Sequence, residues 1–94
     1  MEKELSSCER MIMGVLTRAD EDLTLMRVTS KMKEDFGKEW KLQTVATFMK
    51  RLESKGYIDV YKKGRYSYYH PKFTRDEMVK RDLDEIRKIY GVEV

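Results

Sequence analysis

A single cysteine and a single histidine stand among the 94 residues of this chain. With no second thiol there is no internal disulfide framework, and with no Cys/His cluster there is no zinc site of the usual kind. That cysteine usage fits a reducing compartment, so a cytoplasmic location is expected. Long apolar runs are missing as well. A membrane-spanning helix needs about 20 mostly apolar residues, and nothing here approaches that, so no membrane partner is expected. The opening Met1-Glu2-Lys3-Glu4 is unlike a secretion signal. Internal repeats and low-complexity tracts are absent. Catalytic groups are equally thin. His70 follows Tyr68 and Tyr69 on an expected strand and reads as structural. Cys8 falls on the inner face of the first expected helix, where a thiol acts as a small hydrophobe. The carboxylates lie on helix surfaces and in capping boxes. No catalytic residue, metal ligand or cofactor is assigned, and an enzyme is not expected.

What the chain does have is charge and period. The residues are 40% hydrophobic and 39% charged, enough for one small core under an ionic surface. The net charge of +3 is unevenly spread. Lys38, Lys41, Lys50, Arg51, Lys55, Lys62, Lys63, Arg65 and Lys72 face only Glu39, Glu53 and Asp59, a net of +6 between residues 38 and 72. The flanks are mildly acidic. A basic middle segment suits a polyanion, although solvated surface lysine gives the same count.

Ser6-Ser7-Cys8-Glu9 has capping-box spacing and opens a first helix, with Ile12, Val15, Leu16 and Ala19 on its buried face. Asp20-Glu21-Asp22 reads as a loop. Thr24 caps a second helix to about Phe36, with Leu25, Val28, Met32 and Phe36 on one stripe and Gly37 at its end. After Trp40 a third helix spans 42–55. Val45, Phe48, Met49 and Leu52 form its inner face, and Gly56 stops it. The period then changes. Ile58 and Val60 alternate with Asp59 and Tyr61, Lys62-Lys63-Gly64-Arg65 makes a turn, and Tyr66, Tyr68 and His70 alternate on the return, as in a β-hairpin. Its tyrosines are expected to pack on the helices rather than stack on single-stranded bases. Thr74-Arg75-Asp76-Glu77 is a second capping box, with Phe73 and Met78 placed as a hydrophobic staple. A fourth helix runs from Arg75 to about Tyr90.

Three helices, a basic hairpin and one more helix predict an α+β, mostly α fold, a winged helix-turn-helix with an added C-terminal helix. In that fold the third helix enters the major groove. Gln43, Thr44 and Thr47 are the expected base contacts, since Gln pairs with adenine and Thr offers a hydroxyl or meets a thymine methyl. Thr44 serves equally as a cap. Lys50, Arg51, Lys62, Lys63 and Arg65 are expected on the DNA backbone, with the wing at 61–66. The alternative is a winged-helix module that binds protein rather than DNA.

These residues resemble the penicillinase and methicillin-resistance repressors and their copper-responsive relatives, the BlaI/MecI/CopY type. The likeness runs from Leu5 to Glu77. It lies in Leu5-Ser6, Glu9, Ile12-Met13 and Leu16, in Leu23-Thr24 and Val28, and most strongly in Thr44-Val45-Ala46-Thr47, Arg51-Leu52 and Lys55-Gly56-Tyr57-Ile58. Gly64-Arg65, Tyr69 and Pro71 follow at the family's spacing. The resemblance implies a homodimeric repressor on double-stranded DNA, with a palindromic operator. It implies Thr44, Thr47 and Arg51 as DNA-facing positions and Arg65 as the wing contact. Thr17 stands where the family has a tryptophan, and Lys41 where a hydroxyl residue is usual. The C-terminal cysteine cluster of the copper relatives is absent, so copper sensing is not expected.

Residues 1–72 are therefore expected to form the DNA-binding domain, and 73–94 a dimerisation element with Val79, Leu83, Ile86 and Tyr90 on a heptad-like seam. One C-terminal helix, where the family has a longer helical region, predicts a weak dimer. The rival is that this stripe packs back on its own chain.

Overall fold

The computed structural model describes residues 4–92. The ends of the expected 1–72 and 73–94 divisions, residues 1–3 and 93–94, lie outside the described residues. The elements in order are α1 (Ser7–Arg18), β1 (Leu23–Thr24), α2 (Leu25–Phe36), α3 (Leu42–Ser54), β2 (Ile58–Lys63), β3 (Tyr66–Pro71) and α4 (Arg75–Tyr90). The strands form one antiparallel sheet in the order β1-β3-β2. This is a winged helix with a fourth helix appended.

Local chemistry sets the helix ends. The Ser6 hydroxyl accepts from the Glu9 backbone N–H at 3.2 Å, and the Glu9 carboxylate accepts from the Ser6 N–H at 2.8 Å. Both halves of the box at Thr74 and Glu77 are likewise made. The Thr24 hydroxyl accepts from the Arg27 N–H and starts α2. Gly37 ends it at φ +67°, a left-handed conformation that a side chain disfavours, so that Gly37 and Lys38 N–H groups turn back to the Lys33 and Met32 carbonyls. α3 lacks such help: Lys41 precedes it in extended conformation with no side-chain cap bond.

Ile12, Val15 and Leu16 of α1, Val28 and Met32 of α2, and Val45, Met49 and Leu52 of α3 meet Tyr57 and Ile58 in one core. Three expectations need correction. The strand β1 had no sequence signal, because two residues are too few to show alternation. It pairs Leu23 with Tyr69 and Thr24 with Tyr68. Phe36 does not reach the core. It ends α2 one turn beyond Met32, is 38% exposed, and lies under the Arg18 guanidinium. Lys62 and Lys63 belong to β2 rather than to the turn.

α4 is held differently from the other helices. Met78 is its one buried residue among those described. The rest of its inner face is polar: Arg10 of α1 pairs with Asp82 and Glu85, and Arg81 lies over the rings of Tyr57 and Phe73 while donating to the Tyr57 hydroxyl. Val79, Leu83, Ile86 and Tyr90 turn outward, each between 45% and 74% exposed. The stripe does not pack back on its own chain.

Among the described residues Glu9 is the one buried charged residue, 1% exposed. Its Oε1 receives the Lys55 ammonium at 2.8 Å, and Lys55 also donates to the Glu4 carbonyl at 3.0 Å. Among the described residues Oε2 has no partner. Burial pushes the Glu9 carboxyl up, but the bonds from Lys55 and Ser6 prevail and hold it below its ordinary value of 4.5. A depressed carboxyl stabilises the fold fully above its ordinary value, and that contribution is lost as pH falls from there through the lowered folded-state value. Removing the cation strands a buried carboxylate. Lys55→Met should therefore cost about 3–5 kcal/mol at neutral pH. Glu9→Gln should flatten the acid limb of the wild-type stability curve. Urea titrations at several pH values check both, and a Lys55→Met protein as stable as wild type would refute the account.

Candidate nucleic-acid interface

The outward face of α3 carries Gln43, Thr44, Thr47, Lys50 and Arg51, all exposed. Their positions follow from the opposite face, where Val45, Met49 and Leu52 are buried at helical spacing. Gln43 and Thr47 lie one turn apart, and the Thr47 hydroxyl donates to the Gln43 carbonyl at 3.0 Å. With its proton committed, Thr47 presents an acceptor and a methyl group. Thr44 stands on the Arg51 side of the same face and makes no cap bond at Lys41. The Arg51 guanidinium lies 5.5 Å over the Phe48 ring, which itself stacks on Trp40 at 5.1 Å. An aromatic shelf thus directs Arg51 while leaving its N–H groups outward.

The hairpin closes through Gly64-Arg65 between paired Lys63 and Tyr66. Gly64 has φ +66° and Arg65 does not have positive φ, as a two-residue turn with glycine first requires. Lys62, Lys63 and Arg65 are exposed at this tip. They do not form one patch, because neighbours on a strand point to opposite faces. Lys62 shares the face of Val60, which packs toward the core, and Lys63 shares that of Tyr61. Of the hairpin tyrosines expected to pack on the helices, Tyr69 reaches the core; Tyr68 instead stacks on Tyr61 at 5.7 Å, and Tyr61 and Tyr66 are exposed.

The wing is tied down from the acidic loop between α1 and β1. Asp22 accepts from the Tyr61 hydroxyl of β2 at 2.7 Å through one oxygen, and its other oxygen lies 2.9 Å from His70 Nδ1 of β3. One carboxylate thus grips both strands. Burial raises the Asp22 carboxyl, but the bonds from Tyr61 and His70 outweigh it and leave it below its ordinary 3.8. The same bond raises the Tyr61 phenol.

Ion pairs elsewhere join Arg10 with Asp82 and Glu85, Arg18 with Asp35, Lys33 with Glu39, Lys55 with Glu9, Lys72 with Asp59, and Arg87 with Asp84. Among the described residues Lys50, Arg51, Lys62, Lys63 and Arg65 form no ion pair, so their fields are unspent. The described residues hold no cluster of metal-ligating side chains and no helix long and apolar enough to cross a membrane.

The penicillinase repressor family model matches residues 5–91. Among solved structures, the DNA-binding domain of the repressor BlaI is 24% identical, with 82% of this chain and 93% of that one covered and a TM-score of 0.66. The monomeric BlaI of Bacillus licheniformis in complex with the blaP half-operator gives 22% identity, coverage of 82% and 90%, and 0.64. A homodimeric winged helix-turn-helix domain from Mycobacterium bovis, Mb0332, gives 13%, coverage of 94% and 73%, and 0.64. At these identities the likeness is one of fold. No curated protein sequence matches the chain.

The Asp22 clasp has a direct test. Asp22→Ala should speed amide exchange in β2 and β3 while leaving α3 protected, and it should move the Tyr61 phenol titration down toward its ordinary 10.0. Because the Asp22 carboxyl is depressed, the wild-type clasp is intact at pH 3.8 and weakens only as pH falls further, through the lowered folded-state value. Nuclear magnetic resonance reads both quantities. Unchanged wing exchange would show that the hairpin stands without Asp22.

Proposed function

The chain belongs to the penicillinase repressor family, whose members are DNA-binding transcriptional repressors and not enzymes, and on that premise we propose that it represses as a cytoplasmic homodimer on a palindromic operator. In this reading α3 enters the major groove and the wing at 61–66 lies on the backbone. Gln43, Thr44 and Thr47 meet base edges. Lys50, Arg51, Lys63 and Arg65 hold phosphates, with Lys62 on the other face of the strand as a weaker contributor. Residues 1–72 serve as the DNA-binding unit and 73–94 as the dimerisation element. The observation that carries the reading is the meeting of short hydrogen-bonding side chains on α3 with unpaired cations on α3 and wing. A protein-binding module has no use for that combination.

Holding and reading separate experimentally. Alanine at Lys50, Arg51, Lys63 or Arg65 should weaken binding to every duplex and lower the slope of log affinity against log salt by about one for each lost contact. Gln43→Ala or Thr47→Ala should cost roughly 1–3 kcal/mol on the selected site and little on random duplex. The preferred site comes from selection out of a random pool. A fourfold variant with an unchanged salt slope would favour the protein-binding alternative.

Dimerisation is assigned to the outward stripe of α4. Its 16 residues span only about 24 Å, four apolar side chains per helix, each worth roughly 1.5–3 kcal/mol when fully buried, against an association cost of at least ~4 kcal/mol. The balance points to a modest dimer that DNA reinforces. The solved likenesses include both a monomer on a half-operator and a homodimer. Leu83→Asp should give a folded monomer that keeps half-site affinity and loses tight operator binding. Sedimentation of wild type and variant decides it, and a wild-type monomer at high concentration counts against the seam.

A further inference from the structure

Beside the polar face of α3 lies an apolar surface that the core does not explain. Met26 is 64% exposed, Tyr66 59% and Leu42 44%. They come from the first turn of α2, the first residue of β3 and the first residue of α3, yet they line one concavity with Thr24, Arg65 and Ser67. Neither Met26 nor Leu42 belongs to the core or to the shell packed on it.

The neighbours of these side chains say what covers them. Arg27 follows Met26, Lys41 precedes Leu42, and Arg65 precedes Tyr66. Each apolar group thus has a cation beside it in the chain, and none of the three cations forms an ion pair among the described residues. An apolar protein surface docking here would desolvate those charges without pairing them. A duplex meets both requirements. Its phosphates match the cations, and its major groove presents one apolar group, the C5-methyl of thymine. Leu42 also adjoins Gln43, about 100° round the helix on the wing side.

We propose that Met26 and Leu42, walled by Tyr66, form a thymine-reading surface that packs on C5-methyl groups beside the base step met by Gln43. The inference rests on the duplex-DNA reading given above and adds a second kind of readout to it. The polar side chains recognise donors and acceptors, and this surface recognises a methyl group.

Uracil in place of thymine removes that methyl and leaves the hydrogen-bonding edges and the phosphates. Wild-type protein should bind the selected site about fourfold more weakly for each contacted thymine replaced by uracil, the ratio that corresponds to ~0.8 kcal/mol for one buried methyl-sized group. Only one or two positions per half-site should respond. The Met26→Ala/Leu42→Ala double variant should lose affinity for the thymine duplex and become indifferent to uracil. Its melting temperature, random-duplex affinity and salt slope should stay those of wild type. Full wild-type affinity for the all-uracil site would overturn the inference and leave the DNA reading intact. Equal loss by the variant on thymine and uracil duplexes would overturn it too, assigning the surface to the sugar-phosphate backbone. Wild-type protein that bound no duplex would overturn both readings together.

Discussion

A buried carboxylate and the ammonium that meets it hold α3 in place. Glu9 lies in the first turn of α1 and Lys55 caps the end of α3, so their contact at 2.8 Å joins the start of the chain to the far end of the helix that faces outward. An apolar pair of similar size would fill the same space at less desolvation cost. What the ion pair adds is direction: Lys55 must satisfy both Glu9 and the Glu4 carbonyl, which fixes the end of α3 relative to α1. An apolar contact tolerates sliding and rotation that a two-acceptor ammonium does not. The start of α3, lacking a side-chain cap, depends the more on an end that cannot shift.

The same device recurs where other elements join the core. Asp22 grips both strands of the wing, and Arg10 and Arg81 fasten α4. In each case a polar group with fixed geometry settles the orientation of an element that buries little apolar surface of its own. A chain this short has a limited core, and the helices α1, α2 and α3 consume most of it. The matched charges have a second effect. With most acidic groups engaged elsewhere, the unpaired cations of α3 and the wing produce a local positive field from a chain whose net charge is only +3.

Helix limits were legible because capping chemistry is local. Ser6-Glu9 and Thr74-Glu77 announce themselves within four residues, and the structure makes both boxes. The outward set on α3 was legible from the spacing of Val45, Met49 and Leu52 alone. The wing was legible from the change of period at Ile58. What stayed hidden depends on distant partners. Glu9 looked like a capping residue and nothing more, since its burial needs Lys55, 46 positions away. Asp22 looked like one of three loop acids until Tyr61 and His70 were folded against it. The strand β1 is two residues borrowed by an edge of the sheet, and the exposure of Phe36 follows from where the core ends. Leu42 and Met26 lie off the buried stripes of α3 and α2, and their shared concavity with Tyr66 comes only from the way the helix starts meet the wing.

α4 inverts the usual arrangement of an amphipathic helix. Its inward face is mostly charged and its outward face apolar, so intrachain packing leaves Val79, Leu83, Ile86 and Tyr90 in water. Ile89 extends the apolar surface at 66% exposed. A contiguous apolar stripe on an otherwise highly charged surface carries a solubility cost without a fold benefit, which is the pattern of a contact site. If a second copy covers it, the consequence for DNA is larger than the contact itself. Two reading heads joined at α4 face each other's half-sites at an effective concentration set by the joint rather than by the solution. Each head then needs only modest affinity, which matches a surface of a few cations and three hydrogen-bonding side chains. A weak seam also leaves the assembly sensitive to whatever loosens it: release of one head lowers the affinity of the other to that of an isolated half-site. In that arrangement the apolar stripe of α4, rather than the reading face of α3, sets how readily the repressor leaves its operator.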